Sequence, residues 1–282
     1  MTPRVARVGI VVKERLPGAA DVVSRLRAWL RERGVEVVDD TQCSRDEIPA
    51  AVDMVVVLGG DGTLLSMADR IGQAGRDIPI LGVNFGSLGF LTEVRVNELY
   101  SSLEAVLDGS AQFDERLMLE AEAVRDGRAV DRHIVLNDVV FTKAALSRMI
   151  ELSVVVNGGL VTMVKADGLI VASPTGSTAY NLAAGGPIVH PAVGALVLTP
   201  IAPHTLTNRP IVIPASSVVE VKPQVNSDAD DIFVTYDGQS GYPLHAGDVI
   251  RVRRAEQALR LVKAPARSYF EVLREKLKWG ER

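Results

Sequence analysis

The run Leu58-Gly59-Gly60-Asp61-Gly62-Thr63 sets a carboxylate among three glycines, directly after an apolar stretch and directly before a helical pattern. That is the carboxyl end of a strand. In open α/β sheets ligands gather there, and the N-terminus of the next helix offers backbone N–H groups to an anion. Glycines at 59, 60 and 62 let the main chain approach a phosphate or take up positive φ. A carboxylate in such a place is electrostatically awkward unless it handles a proton or a metal, and phosphoryl transfer needs both jobs. Asp61 is therefore the candidate catalytic residue. The competing reading makes Asp61 or Thr63 a helix cap worth ~1 kcal/mol. No Gly-Lys-Ser/Thr ending and no Gly-x-Gly-x-x-Gly pattern is present.

A second glycine cluster, Asn84-Phe85-Gly86-Ser87-Leu88-Gly89-Phe90-Leu91-Thr92-Glu93, follows the next apolar run, so both loops should open on one sheet edge and share a ligand. Phe85 and Phe90 also read as ordinary core residues. Further on, Asn137 and Asp138 fall within a long apolar stretch, where an unpaired amide and carboxylate would cost several kcal/mol. Their partners are either backbone at a bulge or the hydroxyls and ring nitrogens of a nucleoside. The stretch Asp167-Gly168 to Gly185-Gly186-Pro187 is rich in small residues, with Thr175-Gly176-Ser177-Thr178-Ala179-Tyr180 at its centre. Such a run suits a flat heterocycle held by a few directional hydrogen bonds. Ser177 or Thr178 is placed to cap a short helix there.

These residues need a scaffold, and the apolar periodicity supplies one. Val8 to Val12, Val35 to Val38, Val52 to Leu58 and Ile78 to Val83 read as buried strands. Helical patterns lie between them: Val22, Val23, Leu26, Trp29 and Leu30 share one face, Gly34 stops that helix, and a second pattern runs near Leu64 to Ile71. A further helix from about Val96 aligns Leu99, Leu103 and Leu107. Alternating strands and helices imply a parallel sheet covered on both faces. Beyond residue 115 short strands follow one another, among them Met118 to Arg125, His133 to Thr142, Gly168 to Ala172 and Ile232 to Tyr236. Asp126-Gly127, Asn157-Gly158, Asp167-Gly168 and Asp237-Gly238 are read as tight turns between them. The expected fold is thus an α/β N-terminal domain with a parallel sheet, at 1–115, and a mostly-β, sandwich-like C-terminal domain, at 116–263. A terminal helix capped by Ser268 and Glu271, with Phe270, Leu273 and Leu277 in line, should pack back on the first domain and extend it by 264–282.

Composition narrows the function classes. The 282 residues carry a net charge of −4 with basic residues scattered, which argues against a nucleic-acid partner. Cys43 is the sole cysteine, so an internal disulfide and a thiolate metal cluster are both excluded, and a reducing, cytoplasmic setting is expected. No stretch approaches the roughly 18 uninterrupted apolar residues of a membrane helix, and no secretory leader is legible. His133, His190, His204 and His245 lie far apart, without metal-ligand spacing.

Taken in order, Gly59-Gly60-Asp61-Gly62-Thr63, the Asn84 to Thr92 cluster, Asn137-Asp138 and the Asp167 to Pro187 stretch resemble the bacterial NAD kinase family over nearly the whole chain. The resemblance implies ATP-dependent phosphorylation of the adenosine ribose 2′-hydroxyl of NAD, with a divalent cation, usually Mg²⁺, and with metal ligands unknown. It implies that Asp61 is the general base, that Gly59, Gly60, Gly62 and Thr63 meet the ATP phosphates, and that the C-terminal domain binds NAD. The implied NAD contacts are Asp61, Gly62, Phe90, Asn137, Asp138, Arg148, Lys165, Asp167, Thr175, Thr178, Ala179, Tyr180, Asn181, Leu182, Ala183, Ala202 and Gln239. A homodimer or homotetramer joined through the β domain is implied as well. The alternatives are a lipid or sugar kinase of the same superfamily, which needs a different acceptor groove, and a non-catalytic nucleotide-sensing module, in which Asp61 has no evident use. A Rossmann dehydrogenase is disfavoured by the missing fingerprint.

Overall fold

The structure is a computed structural model that describes residues 5–40, 42–86, 88–143, 149–205, 207–224, 232–264 and 267–280. The chain divides into two compact units, Met1–Glu115 with Leu259–Arg282, and Arg116–Ala258.

The first unit runs β1 (Arg7–Val12), α1 (Ala19–Glu32), β2 (Glu36–Asp39), α2 (Ile48–Ala51), β3 (Met54–Leu58), α3 (Asp61–Gln73), β4 (Ile80–Asn84), β5 (Val94–Arg95) and α4 (Leu99–Asp108). β3 and β4 are buried at every position, as parallel strands covered on both faces must be. The parallel order is β2-β1-β3-β4, with β5 beside β4. α1 turns Val22, Leu26 and Leu30 inward, and Gly34 follows it at φ +72°, the left-handed geometry expected of its stop. α3 begins at Asp61, three residues before the periodicity announces it.

The second unit is antiparallel. It contains β6 (Phe113–Arg125, begun in the first unit), β7 (Arg128–Val135), β8 (Asp138–Lys143), β9 (Ile150–Val156), β10 (Gly159–Ala166), β11 (Gly168–Ala172), α5 (Tyr180–Ala183), β12 (Ala195–Ile201), β13 (Ile211–Pro214), β14 (Val219–Pro223), β15 (Ile232–Tyr236), β16 (Ser240–Leu244) and most of β17 (Val249–Val262). One sheet is ordered β13-β12-β11-β8-β15-β16; facing it are β10-β9-β14-β17 and the β6-β7 hairpin. Leu119, Val135, Leu152 and Val252 meet Phe141, Leu169, Val171 and Leu198 in the core between them. This is the expected sandwich.

Two expectations are corrected here. His133 to Thr142 is not one strand: β7 ends at Val135, β8 begins at Asp138, and the two belong to opposite sheets. Asp126-Gly127, Asn157-Gly158 and Asp237-Gly238 are tight turns with both residues at positive φ, but Asp167-Gly168 is not. It is the step from β10 in one sheet to β11 in the other, and Gly168 is demanded by packing, since a Cβ there would lie 2.3 Å from the Phe141 carbonyl oxygen.

The last four residues of β17 return to the first unit, where Leu261 pairs with Ile80, and α6 (Tyr269–Leu277) follows. The Ser268 and Glu271 capping box is formed, each side chain taking the other's backbone N–H. Val272 and Leu273 are the buried residues of α6, whereas Phe270, expected to face inward, is 60% exposed.

Candidate active site

In the first unit the buried strand β3 is followed by Gly59, whose N–H donates to the Val83 carbonyl at 2.9 Å. A Cβ at Gly59 would lie 2.9 Å from Lys13 Cβ, so this glycine is required by the protein itself. Gly60 and Gly62 are different. Neither has positive φ, and a Cβ at either would meet no atom within 4 Å. Nothing in the fold asks for glycine there; the bare backbone opens onto free space.

Asp61 is the first residue of α3, half-exposed, and no side chain caps this helix, so the capping reading of Asp61 and Thr63 is overturned. The carboxylate reaches instead to the second glycine loop. Its Oδ1 accepts from the Leu91 N–H (3.2 Å), the Thr92 N–H (3.0 Å) and the Thr92 hydroxyl (2.9 Å); its Oδ2 accepts from the Phe90 N–H (2.9 Å). Gly89 makes room for this, because a Cβ there would sit 2.0 Å from Oδ1. The two glycine loops are thus joined by one side chain. A carboxylate oxygen has two lone-pair sites, so Oδ2 keeps one for a further donor. Phe85 packs on the core of this unit, while Phe90 is half-buried with the Lys276 ammonium 5.8 Å from its ring. Arg267, two residues before α6, donates to the Glu93 carbonyl of this loop and to Glu98, and Glu275 of α6 meets Arg95.

In the second unit Leu136 and Asn137 are the step between the sheets, and this backbone is held by Asp237. The Asp237 carboxylate accepts from the N–H groups of Leu136 (2.8 Å), Asn137 (2.7 Å) and Asp138 (2.9 Å). Ser173 adds its N–H to the Asn137 carbonyl (2.8 Å) and its hydroxyl to that of Leu136 (2.5 Å). The 173–178 turn sits so closely on this step that a Cβ on Gly176 would lie 2.1 Å from the Asn137 oxygen. Asn137, Asp138, Thr175, Thr178 and the exposed Gln239 are therefore gathered at one end of the β8-β11-β15 strands. Asp138 is only 5% exposed. Burial, and then the negative charge of Asp237, push its carboxyl up to about 7. The buried Thr175 hydroxyl has no partner among the described residues.

The remaining sequence candidates sort differently. Ala179, just before the short α5, and Leu182 on it are half-buried, and Tyr180 and Ala183 are exposed. The Asn181 side chain faces inward. It donates to the Ser177 and Pro187 carbonyls and accepts the Thr199 hydroxyl, so both ends of its amide are committed inside the protein. Ser177 caps no helix: its hydroxyl bridges the Pro174 carbonyl and the Val189 N–H. Lys165, Asp167 and Ala202 form a separate group, tied by the Asp167 N–H to Ile201 and the His204 N–H to Lys165. Asp167 pairs with Lys143 at 2.7 Å, and Ala202 has φ +44°. This group lies at the opposite end of the five-residue β11 from Asp138, a strand roughly 13 Å long. Arg148 lies outside the described residues.

Sequence reasoning missed Asp237, Gly89, Thr92 and Ser173. Asp237 was visible only as a turn residue, and Gly89 and Thr92 only as members of a glycine-rich run. Chemically, the first unit offers a fixed carboxylate beside open, glycine-lined backbone. The second offers a turn of small residues with buried polar groups.

Residues 41–111 match the family ATP-NAD kinase N-terminal domain, and residues 136–264 match ATP-NAD kinase C-terminal domain. The chain is 49% identical to an NAD kinase of Syntrophotalea carbinolica and 50% identical to one of Geobacter metallireducens, in each case over 98% of this chain and 99% of the relative. Among solved structures, yeast NADH kinase complexed with NADH superposes with a TM-score of 0.88 at 25% identity, covering 99% of this chain and 89% of that one. An NAD kinase from Archaeoglobus fulgidus in complex with ATP gives 0.78 at 26% identity, covering 95% and 99%.

Proposed function

We propose a chemical role for Asp61 from one premise: this chain belongs to the NAD kinase family, and it phosphorylates NAD to NADP with ATP as the donor. Asp61 Oδ2 accepts the proton of the adenosine ribose 2′-hydroxyl as that oxygen attacks the γ-phosphorus. The bond from γ-phosphorus to the bridging oxygen breaks, and ADP departs. The observation that carries this reading is the carboxylate locked by the 90–92 amides with one lone pair of Oδ2 unused. A base held in one direction needs no reorganisation when the hydroxyl arrives.

Gly59, Gly60, Gly62 and Thr63 meet the ATP phosphates. The empty space over Gly60 and Gly62 supports this, because the protein has no use of its own for their missing side chains. The β-rich unit binds NAD. Asn137, Asp138, Thr175, Thr178 and Gln239 form one end of its site, with Ala179, Tyr180, Leu182 and Ala183 beside them and Asn181 stiffening the turn. Phe90 and Gly62 are the contacts from the glycine loops. Lys165, Asp167 and Ala202 are a second group of NAD contacts, and Arg148 is a further NAD contact by the family resemblance.

Among the described residues, no group of three or more His, Cys, Asp or Glu is placed to hold a metal. That fits Mg²⁺, which is commonly bound by one or two carboxylates together with phosphate oxygens and water. The chain would hold it through phosphates seated on Gly59, Gly60 and Gly62, which leaves the free lone pair of Asp61 Oδ2 to the ribose hydroxyl. When bound, the ion supplies charge neutralisation on the phosphates.

Self-association through the β-rich unit is supported by its exposed apolar side chains, Leu160, Val161 and Met163 on the edge strand β10 and Val212 on the edge strand β13. A cytoplasmic setting is supported by the single cysteine. No described helix is long and apolar enough to cross a membrane.

The test is steady-state NADP formation from NAD, ATP and Mg²⁺, read by an NADP-specific dehydrogenase. Wild-type protein forms NADP, and Asp61→Asn forms it slower by orders of magnitude. Near-normal turnover in the variant removes Asp61 from the role.

A further inference from the structure

Asp237 is the first residue of an Asp-Gly hairpin turn and has φ +50°, a left-handed conformation that Asp and Asn tolerate. The turn explains its backbone. It does not explain the carboxylate, which is folded away from solvent, in a residue only 9% exposed, onto chain a hundred positions earlier. Both oxygens are used: Oδ2 takes the Leu136 N–H, and Oδ1 takes those of Asn137 and Asp138. The Asp237 N–H returns a bond to the Asp138 carbonyl at 3.0 Å. Leu136 and Asn137 lie outside both sheets, where no ladder supplies an acceptor, and Asp138 is the first residue of β8. Three donors left without an acceptor would be costly where Leu136 and Asp138 are buried.

We propose that Asp237 is a positioning residue for NAD: by clamping three consecutive amides it fixes the sheet-crossing step so that Asn137, Asp138 and, two residues along its own turn, Gln239 present one polar edge to the dinucleotide. This rests on the reading of Asn137 and Asp138 as NAD contacts. Asp237 touches the backbone beneath those side chains and acts through them. Ala172 and Ser173 flank Asp138 from β11, and Tyr236 and Asp237 flank it from β15; Asp237 is the neighbour whose charge bears on the Asp138 carboxyl.

Asp237→Asn keeps the shape and the turn preference but turns an N–H donor toward amides that need an acceptor. Apparent KM for NAD rises about tenfold or more, the scale of a lost charge-assisted hydrogen bond. KM for ATP stays within about twofold of wild type on that reading. The pH at which NAD binding titrates also moves downward, because one of the charges holding the Asp138 proton is gone. Should Asp237→Asn fail to fold, Asp237→Glu carries the same test, since it keeps charge and acceptors but displaces them by one methylene. Unchanged KM for NAD overturns the proposal. So does a parallel rise of both KM values with a matching fall in thermal midpoint, which marks a purely structural residue. Asn137→Ala is measured alongside. If it raises KM for NAD while Asp237→Asn does not, the positioning role alone falls; if it leaves KM for NAD unchanged, the contact reading falls and takes the positioning role with it.

Discussion

Asp61 in the first unit and Asp237 in the second do the same mechanical work: each accepts three consecutive backbone N–H groups, of residues 90–92 and of residues 136–138. They differ in what surrounds them. Asp237 is nearly buried, and the groups about it are Tyr236, Asp138 and the Ser173 turn. Asp61 is half-exposed between Gly60 and Gly62, over which no protein atom lies. A carboxylate that clamps amides is thus a structural device in both places. What separates a candidate base from a brace is access: Asp61 is half-exposed beside glycines whose Cβ positions are empty, whereas Asp237 is nearly buried.

The comparison breaks most visibly at Gly89. A methyl group there would collide with Asp61 Oδ1, so Gly89→Ala should displace the carboxylate and lower turnover roughly a hundredfold, the scale of a 1 Å misplacement. Turnover within about threefold of wild type in the coupled assay would mean that the direction of Asp61 does not matter. Gly60→Ala sharpens the contrast from the other side. With extended backbone and no neighbour to strike, it should change stability by less than about 0.5 kcal/mol, yet raise KM for ATP about tenfold by filling the phosphate approach. Unchanged KM for ATP would leave that open space without a ligand. The smallest effect is expected at Asp138. Its carboxyl is raised to about 7 by burial and by Asp237, so its contribution to stability is full below its ordinary 3.8 and is lost as pH rises through about 7. Asp138→Asn, which cannot ionise, should therefore melt a few degrees higher than wild type at pH 8 and show no such gain at pH 4. An equal difference at both pH values would show that Asp138 is not held protonated.

The glycine motif was legible because a fully buried strand, a glycine run and a helix period adjoin in sequence, and each has a local cause. Gly168 to Ala172 and Ile232 to Tyr236 were legible as strands for the same reason. The clamps were not. Asp61 reaches 31 positions along the chain and Asp237 about a hundred, and nothing local to either residue records its partner. The sheet crossing at Leu136 and Asn137 was invisible because a two-residue step hardly interrupts an apolar run. Asp167-Gly168 has the composition of a hairpin turn, yet the strands it joins lie in different sheets. β10 escaped notice because its Leu160, Val161 and Met163 face outward, so it lacks the inward alternation that marks a half-buried strand. The place of Asn181 in the small-residue run gave no sign that its side-chain amide braces the run from beneath.

The most direct test of Asp61 as the proton acceptor is a single-turnover experiment on Asp61→Asn, with enzyme in excess over NAD and ATP saturating, paired with calorimetric NAD affinity on the same protein. The rate of NADP formation should fall by about 10² to 10⁴, the range of general-base catalysis, while NAD affinity stays within a few-fold of wild type. A near-wild-type single-turnover rate, or a loss of NAD affinity large enough to explain the lost rate, would contradict it.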